Sequence, residues 1–306
     1  MALHRLDSIV LGVPDVAAVA DFYRDFGLLD VGDGYFATLD GGRQLRLVPA
    51  PSRRLVSAVF AVDDADDLCR ASKALAGIGV SSTVDDERLT TVEPTTSVSI
   101  ELIAMPRLIQ ARFDAAPVNA PGRIDRVNAR AAGVTASGPV RPRRLGHIVL
   151  GSPDFERCRS FFVDALGFKV SDVVRDVGVF LRCSTDHHNV LVQRAPVPFI
   201  HHSSWQVDDV DAIGRGAMGL LEEHPERHVW GLGRHYAGSN FFWYFRDPAG
   251  NFAEYHSDMD HIPEDALWTP ETLEGAKGLF EWGPPPPPSF IDPDDLAELM
   301  ISGHPS

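Results

Sequence analysis

Three residues of this chain, His147, His202 and Glu254, are of types that hold metal ions, and each stands at the same landmark of a pattern found in both halves of the sequence. Two imidazoles and one carboxylate suit a divalent iron gripped on one face, with the opposite face left open for a substrate and dioxygen together. That donor set points to oxygenase chemistry and away from a closed structural site. A lone histidine is usually a satisfied core or surface residue. Three donors at corresponding positions of a repeat carry more weight than any of them singly.

The elements that must position these residues come from the repeat. The stretch His4 to Val31, HRLDSIVLGVPDVAAVADFYRDFGLLDV, returns from Arg143 to Val170 as RRLGHIVLGSPDFERCRSFFVDALGFKV, which implies two copies of one unit. Each copy opens with an apolar strand, Ile9 to Leu11 or Ile148 to Leu150, then turns at Gly and Pro residues. Asp15 or Asp154 follows where a helix N-cap belongs. Phe155, Cys158, Phe161, Phe162 and Leu166 recur at helical spacing up to a stop at Gly167. Short β-rich runs complete the unit, among them Val179 to Arg182 and Val190 to Gln193.

A second landmark also repeats, RLVSAVFAVDDADDLCRA in the first half and FIHHSSWQVDDVDAIGRG in the second. Strand, acidic turn and helix recur in the same order. The pattern predicts an α+β fold of tandem βαβββ modules, two to a domain. An N-terminal domain over 1–115 and a C-terminal one over 144–262 are joined by a connector at 116–143 and followed by a proline-rich arm at 263–306. The arm, with its run Pro284 to Pro288, reads as an extended segment packing over the second domain or a neighbouring subunit.

Superimposing the repeats sets Ser8 against His147, Ser57 against His202 and Glu101 against Glu254. Two hydroxyls and a carboxylate are a poor match for a borderline divalent ion, so only the C-terminal domain should bind metal. Within IHHSSWQV, strand alternation sends neighbouring side chains to opposite faces. The register with Ser57 then selects His202 over His201.

Composition bounds the alternatives. A chain of 306 residues with a formal charge of −15 is long enough for two cores and argues against broad nucleic-acid binding or an anionic membrane surface. The opening MALHRLDSIVLG lacks the pattern of a secretory leader and no apolar run is long enough to span a bilayer, so a cytoplasmic location is expected. Cys69, Cys158 and Cys183 are scattered and odd in number, which argues against a disulfide framework and suggests small buried hydrophobes. The acidic runs Asp63 to Asp67 and Asp208 to Asp211 lack the spacing of a calcium loop and fit helix N-termini instead.

With these residues in place, the chain resembles the type I extradiol ring-cleaving dioxygenases of the vicinal oxygen chelate superfamily. The likeness covers both repeats and is most specific in GRHYAGSNFFWYFRDPAGNFAE, Gly233 to Glu254. The resemblance implies Fe(II), with Mn(II) accepted by the same donors, held by His147, His202 and Glu254. It implies His188 as the acid and base that takes a catechol proton and returns it during O–O cleavage, with His187 the weaker candidate. It places His235 beside the substrate and oxygen side and Tyr244 as a phenol bonded to the substrate hydroxyl. A catechol and dioxygen would be the substrates, a yellow hydroxymuconic semialdehyde or ketone analogue the product, and a homo-oligomer the assembly.

Trp243, where the family usually has a smaller aliphatic residue or Phe, is expected to alter the substrate pocket. Phe180, Phe199, Trp205, Trp230, Phe241 and Phe242 are candidates for the pocket or the core. His4, His201, His224, His228, His256 and His261 match no part of the pattern and are expected on the surface or in support. Other readings are a hydroxyphenylpyruvate-type dioxygenase, a glyoxalase-like isomerase or a non-catalytic resistance protein of the same fold. An isomerase usually draws donors from both halves, which Ser8 and Ser57 disfavour, and a non-catalytic protein would have lost a ligand.

Overall fold

The computed structural model describes residues 3–302. In the first half, β1 (Leu3–Val13), α1 (Val16–Asp25), β2 (Leu29–Asp30), β3 (Tyr35–Thr38) and β4 (Gly42–Pro49) make one module. A second follows as β5 (Arg54–Val62), α2 (Ala65–Gly77), β6 (Ser82–Val84), β7 (Arg88–Val92) and β8 (Ser99–Ala104). The segment between the halves is largely irregular apart from α3 (Ala132–Thr135). The second half repeats the plan as β9 (Arg144–Ser152), α4 (Phe155–Ser160), β10 (Lys169–Val174), β11 (Gly178–Arg182) and β12 (Val190–Arg194). Its second module is β13 (Phe199–Gln206), α5 (Val210–Leu221), β14 (His228–Arg234), β15 (Phe241–Arg246) and β16 (Phe252–Ser257).

Each half closes around one curved mixed sheet, in the orders β2-β3-β4-β1-β5-β8-β7-β6 and β14-β15-β16-β13-β9-β12-β11-β10. The modules meet at the central antiparallel pairs β1 with β5 and β9 with β13. This is the tandem βαβββ architecture that the repeat predicts. The two-strand β17 (Thr272–Leu273) extends the second sheet, pairing parallel with β10.

The helices start where their aspartates predict. Asp15, Asp64, Asp154 and Asp209 accept from the backbone N–H of Ala18, Asp67, Arg157 and Ala212 at 3.0, 3.0, 3.2 and 2.8 Å, each cap contributing about 1 kcal/mol. The acidic runs are therefore caps. After Ser160, α4 widens into a π-helical turn, Phe161–Ala165, and the chain leaves it at Gly167, whose φ of +77° suits glycine.

Each half lays its first helix on the other half. Phe26, just past α1, stacks on Tyr255 of β16 at 4.1 Å, and the Tyr255 hydroxyl donates to the Phe26 carbonyl. From the other direction Phe162 and Phe168 pack edge-on against Phe60 of β5. These rings are fully or almost fully buried, each contributing roughly 1.5–3 kcal/mol, so the back of the second sheet rests on the first half. Cys158 and Cys183 are buried as expected, but Cys69 is exposed. The buried stripe of α2 runs through Leu68, Ala71 and Leu75, and Cys69 lies outside it.

Past β16 the arm folds back over its own half. It carries short turns and two helices, α6 (Pro288–Ile291) and α7 (Leu296–Ser302). The indole of Trp230 donates to the Pro284 carbonyl at 2.6 Å. Asp295 pairs with the buried guanidinium of Arg53 from the first half, its Oδ1 accepting from Nη2 at 2.8 Å.

Candidate metal centre

The three donors meet because of strand register. His147 on β9 and Glu254 on β16 both lie opposite Ser204 of β13, which stands between them. The small side chain of Ser204, fully buried, lets the longer ones on either side converge above it. His202 comes two residues earlier on β13 and so shares the face of Ser204. The first half has the same register, with Ser8 and Glu101 both opposite Val59. There the Glu101 carboxylate is taken by Arg88 at 3.2 Å.

His147 Nε2 lies 3.1 Å from Glu254 Oε2 and 3.3 Å from His202 Nε2, and His202 Nε2 lies 3.5 Å from Glu254 Oε2. Two donors each about 2.1 Å from one ion stand roughly 3.0–3.5 Å apart, so the spacing fits a shared cation. Glu254 is fully buried, and its Oε2 has no hydrogen-bond partner among the described residues. Burial, with His201 beside it, pushes the pKa of His202 well below its ordinary value, so that ring is neutral. A buried, underbonded carboxylate beside imidazole lone pairs is what a divalent cation would complete.

The expected second sphere surrounds this cluster. The His188 ring centroid is 4.2 Å from that of His147. Its Nδ1 meets His187 Nδ1 at 3.0 Å, and His187 Nε2 meets Asp172 Oδ2 at 3.0 Å. The carboxylate accepts, so His187 carries its proton on Nε2 and accepts at Nδ1 from His188. His188 Nε2 is then left as a free lone pair on the cavity wall. Burial, then His147 and His187, holds His188 well below its ordinary pKa. His187 thus touches the reacting face only through His188.

On the other wall His235 Nδ1 donates to the Leu279 carbonyl at 2.5 Å, leaving Nε2 to accept from the Tyr244 hydroxyl at 2.9 Å. Burial, with Glu254 nearby, raises Tyr244 well above its ordinary pKa and keeps the phenol protonated. Asn240, which the sequence reading missed, reaches Glu254 Oε1 at 3.4 Å.

His147 and His202 of the cluster line a cavity of about 240 Å³ whose other walls include the apolar side chains of Val149, Val174, Phe180, Leu191 and Phe290. Phe180 and Trp230 are the only two of the aromatic candidates on that wall. Phe242 stacks behind His235 at 4.1 Å and Trp205 is core. Trp243 does not reach the pocket, contrary to expectation. Tyr244 points inward, so alternation turns Trp243 outward, where it donates to His228. The arm, through Leu279, Phe290 and Ile291, supplies a wall that no local pattern announced. A larger cleft of about 710 Å³ near the join of the two halves contains none of these donors. Its Arg5, Arg107, Arg144 and Arg182 are each paired with an aspartate.

Of the unmatched histidines, His228 and His261 are exposed and His224 is half-buried. His256 is buried and bonds Ser204 Oγ at 2.7 Å. Gly146 makes room for it, since a Cβ there would lie 2.3 Å from the ring. His201 is buried beside His202 and lines the cavity.

Mirrored βαβββ modules with donors gathered on one sheet define a protein of the Glyoxalase/Bleomycin resistance protein/Dioxygenase superfamily, and that family model matches residues 144–255. Metapyrocatechase 2 of Cupriavidus necator is 30% identical over 311 residues, covering 95% of this chain and 92% of that protein. Biphenyl-2,3-diol 1,2-dioxygenase of Paraburkholderia xenovorans (strain LB400) is 27% identical over 83% of this chain and 88% of its own length. Among solved structures, the Mn(II)-bound glyoxalase from Novosphingobium aromaticivorans gives a TM-score of 0.72 at 26% identity, covering 94% of this chain and 95% of the other. The chain belongs to the type I extradiol ring-cleaving dioxygenases of this superfamily, and it is an enzyme. Among the described residues no helix is long and apolar enough to cross a membrane.

Proposed function

We propose that this enzyme opens the ring of a catechol beside its diol with dioxygen, using Fe(II) held by His147, His202 and Glu254, to give a hydroxymuconic semialdehyde or its ketone analogue. The observation that carries the reading is the convergence of three buried donors, one of them an underbonded carboxylate and the two histidines lining a largely apolar cavity. Names of relatives that act on catechol and biphenyl-2,3-diol support the substrate class. Mn(II) is the other candidate, supported by the Mn(II)-bound neighbour.

The bound ion would supply Lewis acidity toward the diol and a path for electron density between substrate and dioxygen. The protein's own groups do the rest. The apolar walls exclude water and orient the ring, and the Tyr244 hydroxyl, kept protonated, turns from His235 Nε2 to donate to a substrate oxygen. His188 Nε2, free and neutral, takes a catechol proton and returns it when the O–O bond breaks. Asp172 and His187 hold the tautomer that leaves Nε2 available. All three donors come from the second half, which separates this reading from an isomerase built on both.

The test is oxygen uptake by anaerobically iron-loaded protein on addition of a panel of catechols, with absorbance followed in parallel. One-to-one uptake with a yellow chromophore is expected. Full iron occupancy with no uptake from any catechol would overturn the proposal.

A further inference from the structure

Strand alternation would put His201 and His202 on opposite faces, yet both imidazoles line the same cavity. The cause is a β-bulge. Ile200 pairs with Leu150 and His202 with Val149, so His201 is the extra residue without a partner on β9. The first half has the same irregularity, with Leu55 opposite Leu11 and Ser57 opposite Val10, which leaves Val56 as the extra residue. The bulge therefore belongs to the scaffold. What differs in the second half is that an imidazole occupies it.

His201 bridges two groups. Its Nε2 lies 2.6 Å from the Phe290 carbonyl in the arm, and its Nδ1 lies 2.7 Å from His202 Nδ1. A carbonyl can only accept, so His201 must carry its proton on Nε2 and present a lone pair at Nδ1. His202 must then carry its proton on Nδ1, which leaves Nε2, the atom facing His147 and Glu254, with its lone pair free. The arm is held in place for this by the Trp230 to Pro284 bond and by the Arg53 pair with Asp295. Arg53 also donates to the Ile200 carbonyl at 2.6 Å, beside the bulge. His147 has no such support, for its Nδ1 is buried without a partner among the described residues.

We propose that His201 is a positioning residue that fixes His202 in its ligating tautomer, with the Phe290 carbonyl of the C-terminal arm fixing His201 in turn. The inference rests on the reading of His202 as a metal ligand. It makes the arm part of the metal site as well as a cavity wall, although the arm itself supplies no donor.

The test has two readouts on the full chain, neither of them activity. The first is the ¹⁵N shift pattern of labelled histidines in metal-free protein, with resonances assigned by single substitution. The wild type should show His202 protonated on Nδ1 and His201 on Nε2. The second is the Mn(II) dissociation constant from competition with a chelating dye. His201→Phe should weaken binding about 10- to 100-fold, the range for loss of an outer partner of a metal-binding histidine. His201→Asn, whose amide oxygen can accept as Nδ1 did, should stay within about threefold of the wild type. Circular dichroism and thermal melts check that both variants fold. Wild-type affinity in His201→Phe, equal losses in both variants, or His202 protonated on Nε2 would overturn the inference. A wild type that binds no Mn(II) or Fe(II) would sink the metal reading, while the resonances would still decide the tautomers.

Discussion

Glu254→Gln should push stability in opposite directions with and without metal. In the metal-free protein Glu254 is fully buried and its Oε2 lacks a hydrogen bond, a situation that costs about 1–3 kcal/mol, and more for a charged group. A glutamine amide in that place removes the charge and can donate to His147 Nε2, which stands 3.1 Å from Oε2. The metal-free variant should therefore be more stable than the wild type by about 1–3 kcal/mol. At a Mn(II) concentration 100 times the dissociation constant the wild type should gain about 2.7 kcal/mol, and the variant should gain almost none. At roughly 2–4 °C per kcal/mol for a large domain, each change is resolvable in a thermal melt. The assay is scanning calorimetry of both proteins in chelator and in Mn(II). A metal-free variant less stable than the wild type, or one that still gains from Mn(II), would refute the view of Glu254 as a buried carboxylate awaiting a cation.

Removing the free lone pair with His188→Gln should lower kcat by about 10²–10⁴ while leaving Mn(II) affinity within a few-fold, as steady-state kinetics and dye competition would reveal. Phe290→Ala should cost about 3 kcal/mol in urea unfolding, because the ring is buried among His201, Tyr244, Trp230 and Phe252. The same variant should raise relative kcat/KM for bulkier catechols by enlarging the cavity. Asp247, in the turn before β16, has its pKa raised by burial to about 6 despite hydrogen bonds from Asn251 and Ala249. A folded pKa above the unfolded value makes its contribution greatest below about pH 4, and roughly 3 kcal/mol is lost as pH rises through 6. Asp247→Asn should flatten that part of the urea-midpoint profile between pH 4 and 7, and an unchanged slope would exclude Asp247 as its source.

The module plan and the meeting of His147, His202 and Glu254 were legible because a strand position is a spatial coordinate. Residues two apart share a face, and a repeated unit places equivalent residues equivalently. The same rule, carried one step further, would have turned Trp243 outward once Tyr244 was placed inward. It fails at His201, because a bulge shifts the alternation by one residue and leaves no mark in the order of side chains. The arm was legible as a proline-rich segment packing over the second half or a neighbouring subunit, but not as a wall of the cavity. Its destination rests on backbone carbonyls of Leu279, Pro284 and Phe290, which every residue carries and no sequence pattern displays. The roles of His187 and Asp172 were hidden in the same way, since they lie 15 residues apart and meet only in the fold.

The most direct test of the central claim is a single turnover of iron-loaded enzyme with its best catechol under ¹⁸O₂, with the product followed by mass spectrometry and NMR. Cleavage beside the diol predicts a product with both labelled atoms, less any aldehyde oxygen exchanged with water, with one carboxylate next to the retained enol and the aldehyde or ketone at the far end of the opened chain. A dicarboxylic acid from cleavage between the two hydroxyls, or a product without label, would contradict it.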